Sequence, residues 1–169
     1  GSPEPPLMLR AKRAWPATSF NHPLFIGRDA GSERFLVVEQ AGRILAIPRD
    51  QSQSTTNLFF ELPNHDLYSF HFHPGFATNR FIFVFANGPN KLQTNSAGVV
   101  LGGTNRFNRI LRYTVTAEGK ANPASEHEII KWWSNGHNGG EMVIGLDGML
   151  YITSGDGTSD SDGNNTGQD

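Results

Sequence analysis

The sequence predicts an all-β chain forming part of a β-propeller, about two and a half blades of four-stranded antiparallel sheet. Three observations carry that expectation. Apolar residues come in short runs bounded by turn residues, with 19 Gly and 10 Pro spread through 169 residues. Long helical periodicity is missing. The runs also share one character and recur at about the length of a single blade.

The elements follow in order. Arg34-Phe35-Leu36-Val37-Val38-Glu39 leads through Gln40-Ala41-Gly42 into Arg43-Ile44-Leu45-Ala46-Ile47, a hairpin turned near Gly42. Asp66 to His73 alternates around Leu67, Phe70 and Phe72. Arg80 to Ala86 (RFIFVFA) is a strongly β-prone buried strand, and Arg109 to Thr116 (RILRYTVT) alternates as a half-exposed strand should. Glu126 to Trp133 holds another strand. Glu141 to Ile144 and Met149 to Thr153 form a last hairpin across Leu146-Asp147-Gly148.

Arg34-Phe35-Leu36-Val37 and Arg80-Phe81-Ile82-Phe83 are offset by about 46 residues. The next similar run, Gly148-Met149-Leu150-Tyr151, follows after about 68, but Asn87 to Arg106 reads as an inserted polar loop of about 20. Without it the interval returns to roughly 40–50 residues, one four-stranded blade. A β-sandwich with irregular loops is the competing reading of the same pattern. Closed propellers have roughly 4–8 blades. The expectation is therefore C-terminal truncation, a complementing chain or a larger whole, and an end at Gly167-Gln168-Asp169 in a polar loop favours truncation. Gly1-Ser2 reads as an expression scar and Pro3-Glu4-Pro5-Pro6 as a stiff linker. The expected organisation is a tag remnant and linker over 1–8, then the N-terminal portion of a propeller over 9–169.

Composition removes several function classes. A net charge of −2 offers no broad basic field for nucleic acid or anionic membrane. No run approaches the roughly 18 apolar residues a membrane helix needs. With no cysteine, disulfides, thiolate metal sites, a Cys nucleophile and covalent c-type haem are excluded within these residues. The absence of Cys suits a cytosolic or a bacterial exported protein equally.

The most informative segment runs from Asn135 to Gly157. His137 sits in a glycine-rich turn before one strand, and Asp156 in a second glycine-rich turn after the next. A hairpin returns the chain to its starting side, so the two turns end up together. That places the Asp156 carboxylate against the His137 ring, where it would fix the tautomer and raise the basicity of the other nitrogen, as a general base requires. The glycines permit positive φ and close approach of a flat ligand. The plainer reading is a turn histidine, with Asp156 capping its own turn.

Here the sequence resembles a family. His137-Asn138-Gly139-Gly140, Gly145-Leu146-Asp147-Gly148-Met149-Leu150-Tyr151 and Gly155-Asp156-Gly157 look like the signature of the soluble glucose/sorbosone dehydrogenases, a group that includes aldose sugar dehydrogenases and Hedgehog-interacting-protein-like proteins. Val38-Glu39-Gln40-Ala41-Gly42-Arg43-Ile44, Phe70-His71-Phe72-His73-Pro74-Gly75-Phe76 and Arg109-Ile110-Leu111-Arg112-Tyr113 fit in the same order. The resemblance covers most of the chain from about Phe25 onward.

The resemblance implies a six-bladed propeller, periplasmic or secreted, with pyrroloquinoline quinone (PQQ) and calcium. It implies oxidation of an aldose C1 hydroxyl to the lactone, with His137 as base and Asp156 as its orienting carboxylate. Asn138, Gly139 and Asn64 are the expected cofactor contacts. Asn64 stands nearest the place of a glutamine found in glucose-oxidising members; the stretch Pro63 to Ser69 contains none. The family's clamping arginine and asparagine and its backbone calcium site belong to later blades, so the chain alone is expected to be inactive. The missing glutamine favours an alternative, a non-enzymatic propeller binding carbohydrate or a protein partner.

Other constellations are secondary. His71 and His73 share a strand face near His65, a candidate zinc pair without an evident third ligand. Asp156, Asp160, Asp162, Asn164 and Asn165 form an oxygen-rich loop suited to calcium but lacking EF-hand spacing. Trp132-Trp133 would stack on a sugar or pack between blades. Asp156 with Glu141 is the one local carboxylate pair to consider for glycoside hydrolysis.

Overall fold

The structure, a computed structural model, describes residues 10–90, 93–94, 96–97, 100–102 and 106–158. The expected linker over 1–8, and Asp160, Asp162, Asn164 and Asn165, lie outside the described residues. The described chain is almost wholly β: β1 (Pro23–Arg28), β2 (Arg34–Glu39), β3 (Arg43–Pro48), β4 (Asn57–Glu61), β5 (Asp66–Phe72), β6 (Phe81–Gly88), β7 (Gln93–Thr94), β8 (Val100–Gly102), β9 (Phe107–Val115), β10 (Ala121–Trp133), β11 (Met142–Ile144) and β12 (Leu150–Ile152). A single helical turn, α1 (Phe76–Asn79), joins β5 to β6.

The strands form two four-stranded antiparallel sheets, ordered β1-β2-β3-β4 and β5-β6-β9-β10, followed by the hairpin β11-β12. These are two blades and the start of a third. The expected insert is the excursion between β6 and β9, and it carries a small hairpin of its own, β7-β8. Strand β5 packs against β1 on one side and β11 on the other. Backbone bonds from Leu62 N–H to Gly42 C=O (2.8 Å) and from Leu67 N–H to Gln40 C=O (2.9 Å) lock the β2–β3 turn to the chain entering blade two.

Packing on both faces explains the long apolar run in β6. Ile82, Val84 and Ala86 enter the core shared with blade one, against Leu36, Ile44 and Phe60. Phe85, on the opposite face, joins Ile110 and Met142 in the core toward the third blade. A central strand buried on both sides has no polar face to alternate with. Strands β1 and β4 are not apparent from the sequence alone. Their apolar runs, Leu24-Phe25-Ile26 and Leu58-Phe59-Phe60, are only three residues long, too short to signal a strand by themselves.

Candidate active site

Strands β5 and β11 run side by side in the same direction. Ser69 Oγ donates to Gly140 C=O (2.6 Å), and His71 Nε2 lies 3.2 Å from Glu141 Oε1. The segments entering these strands therefore share one end of the blades, and they form a rim. It comprises Leu62–His65, the start of the β6–β9 excursion, Ser134–Glu141 and the segment after β12.

The last two of these segments zip together beyond the β11–β12 ladder. Thr153 N–H bonds Glu141 C=O (2.9 Å), Gly140 N–H bonds Thr153 C=O (3.3 Å) and Asn135 N–H bonds Gly157 C=O (2.8 Å). His137 takes a left-handed backbone, φ 38°. Its Nδ1 then lies 3.1 Å from Asp156 Oδ1 and 3.4 Å from Oδ2. The carboxylate is itself oriented, because Oδ1 accepts from Thr158 N–H (2.9 Å) and Thr158 Oγ1 (3.1 Å). The His137 side chain is 50% exposed and that of Asp156 18%. A carboxylate at Nδ1 favours the tautomer protonated there, which leaves the Nε2 lone pair to accept a proton.

Asn138 is buried. Its Nδ2 donates to Tyr68 Oη (2.7 Å), and its Oδ1 accepts from Asn87 Nδ2 (3.1 Å) and Ser134 Oγ. Burial pushes the Tyr68 phenol above its ordinary value of 10, so it stays protonated beside the amide. Gly139 is exposed, but its φ is +73° and the side a Cβ would occupy is filled by Ser154 and Gly155 backbone. Asn64 is exposed at the same rim with φ 60°, and its carbonyl accepts Asn90 N–H. The structure thus brings His137, Asn138, Gly139 and Asp156 together, with Asn64 in the neighbouring loop.

Several residues emerge only from the coordinates. Arg106 pairs with Asp66 at the rim, and Asn90 Nδ2 joins Asp66 at 3.2 Å. Asn87, Asn108 and Ser134 are fully buried beneath the His137 turn. Asparagine is disfavoured inside strands, and that was the one signal available in the sequence.

The secondary constellations find separate partners. His65 Nδ1 meets Pro63 C=O, and His73 Nδ1 accepts from Gly75 N–H and Asn79 Nδ2. Trp132, on the far strand of blade two, packs edge-on against Phe85 and donates to Ser154 Oγ (2.9 Å). Glu141 turns to His71 while Asp156 turns to His137.

Successive four-stranded antiparallel blades define a partial β-propeller. The Glucose / Sorbosone dehydrogenase family model matches residues 20–169, and the chain belongs to that family. Its fold is similar to the PQQ-bound aldose sugar dehydrogenase of Streptomyces coelicolor, at TM-score 0.63 and 19% identity over 88% of this chain and 42% of that one. The apo soluble aldose sugar dehydrogenase of Escherichia coli is also similar, at TM-score 0.56 and 16% identity over 83% and 39%. The chain therefore spans about two fifths of the length of these structures. Among the described residues, no helix is long and apolar enough to cross a membrane.

Proposed function

We propose that this chain supplies the proton-abstracting side of an aldose dehydrogenase site, and that the whole protein oxidises a sugar C1 hydroxyl to the lactone. The observation that carries the reading is the 3.1 Å approach of His137 Nδ1 to Asp156 Oδ1. Asp156 holds the ring in the tautomer that leaves Nε2 unprotonated. Nε2 takes the C1 hydroxyl proton, and Asp156 balances the imidazolium that forms.

The residues present fit the base and amide part of a quinone site. They are a half-exposed imidazole, an exposed Asn64 amide and the exposed Gly139 peptide beside the buried Asn138. PQQ, when bound with calcium, would supply the hydride acceptor for C1. In this reading Asn64 and the Asn138–Gly139 peptide offer it hydrogen bonds, and further ligands come from other blades. A periplasmic or secreted location follows from the same family likeness.

The test is dye reduction by the intact protein given PQQ, calcium and an aldose. His137→Ala should lower turnover by about 10²–10⁴-fold, the usual worth of a positioned base. Unchanged turnover would remove His137 from the mechanism. The absence of a glutamine between Pro63 and Ser69 favours the rival reading, a propeller that binds sugar or a partner without redox chemistry. Calorimetry with and without PQQ separates the two, since only the enzyme's sugar binding should respond to cofactor.

A further inference from the structure

We propose that Asn108, with its cross-strand partner Asn87, is a positioning residue for the His137 base; the inference rests on the reading above. Asn87 on β6 and Asn108 on β9 stand directly opposite each other in the ladder, and both are 0% exposed. Buried amides are costly unless bonded. Their amide nitrogens donate into the turn that carries His137 and to each other, while Asn87 Oδ1 is buried without a hydrogen-bond partner among the described residues. Asn108 Nδ2 donates to the Asn138 carbonyl at 2.8 Å. Asn87 Nδ2 reaches Asn108 Oδ1 (2.9 Å), Ser134 C=O (3.0 Å) and Asn138 Oδ1 (3.1 Å).

One amide pair thus grips both ends of the Ser134–Asn138 turn from below. His137 is the residue just before the anchored peptide, in a left-handed conformation (φ 38°) that is unfavourable for a non-glycine residue. Released from Asn108, the turn can relax toward ordinary φ, and that swings the ring away from Asp156. Neither asparagine reaches the rim surface, so each acts on the reaction through the Ser134–Asn138 turn that carries His137.

The readout is the His137 tautomer, followed by imidazole ¹⁵N shifts in the intact protein labelled at histidine and assigned with His137→Gln. Unsubstituted protein should show neutral His137 protonated at Nδ1. Asn108→Ala should move it toward the Nε2-protonated form that the free histidine side chain prefers. Turnover should fall by about tenfold with KM little changed, as for loss of an interaction made in the transition state.

Ser134→Ala removes only one hydroxyl of the network and should give a smaller shift in the same direction, which covers the case of an Asn108 variant that does not fold. Val84→Ala, in the core of the same blade, should lower the thermal midpoint yet leave the tautomer unchanged. An unchanged tautomer in both network variants, or an equal change in the Val84 variant, would overturn the inference. The tautomer reports on positioning whether or not His137 proves to be the base.

Discussion

A Cβ on Gly155 would lie 1.8 Å from the carbonyl oxygen of His137. The turns bearing the imidazole and its carboxylate therefore touch backbone to backbone, and the contact distance sets the spacing of the two side chains. Gly155 is not in the left-handed region, so alanine suits its backbone and only the clash opposes it. Gly155→Ala should push the turns apart, lower stability by about 1–3 kcal/mol and reduce turnover together with the Nδ1–Asp156 contact. Gly157→Ala is the comparison. There φ is +74° and the nearest atom would be 3.3 Å away, so strain lowers stability without parting the two turns. Thermal midpoints and turnover of the two variants check this, and equal turnover losses would contradict it.

That contact also shows where sequence reasoning was sufficient. The hairpin argument alone brings His137 and Asp156 together, because antiparallel pairing returns the chain to its starting side. The glycines are different. They read as room for a flat ligand, whereas at Gly139 the room is taken by Ser154 and Gly155. Strand β10 begins at Ala121 rather than Glu126, since a bulge between Asn122 and His127 hides the pairing behind a polar stretch. His71 and His73 do not converge on one ligand, because each ring is spent elsewhere, His71 toward Glu141 and His73 on Gly75 N–H and Asn79. Asn87 and Asn108 carry one weak signal, an amide where a strand disfavours it, but near a strand end that reads as a boundary, and only the register that places them opposite each other reveals one device.

His65 gives the rim a pH-dependent element. Burial, assisted by the Arg109 guanidinium and opposed by the Pro63 carbonyl, holds its imidazole below the ordinary 6.5. Arg109 reaches Nε2 at 3.3 Å, so the folded state favours the neutral ring. Glu126 and Asp66 pull weakly the other way. Between the folded value and 6.5 the unfolded chain binds more protons. Stability is thus fully present above 6.5 and falls as pH drops below it, until the folded value is passed. His65→Gln should flatten that part of the curve. Thermal midpoints at a series of pH values, taken as the difference between variant and unsubstituted protein, measure it. Parallel curves would mean that His65 titrates alike in both states.

The junction between blade two and the third blade rests on a buried hydrogen bond. Ser69 is 1% exposed, and its Oγ donates to the carbonyl of Gly140 at 2.6 Å. Gly140 itself is pressed against the Tyr68 side chain with φ +123°, so the carbonyl has little freedom to find another donor. Ser69→Ala leaves that oxygen buried and unsatisfied, at a cost of about 1–3 kcal/mol. For a chain of this size each kcal/mol corresponds to about 2–4 °C in midpoint. Ser52→Ala deletes a hydroxyl of the same kind, bonded to Asp50 Oδ1 at 2.7 Å but exposed, and should change stability by less than about 0.5 kcal/mol. The contrast isolates burial from the bond itself. If the two variants melt together, the β5–β11 seam is held by apolar packing around Met142 and not by this hydroxyl.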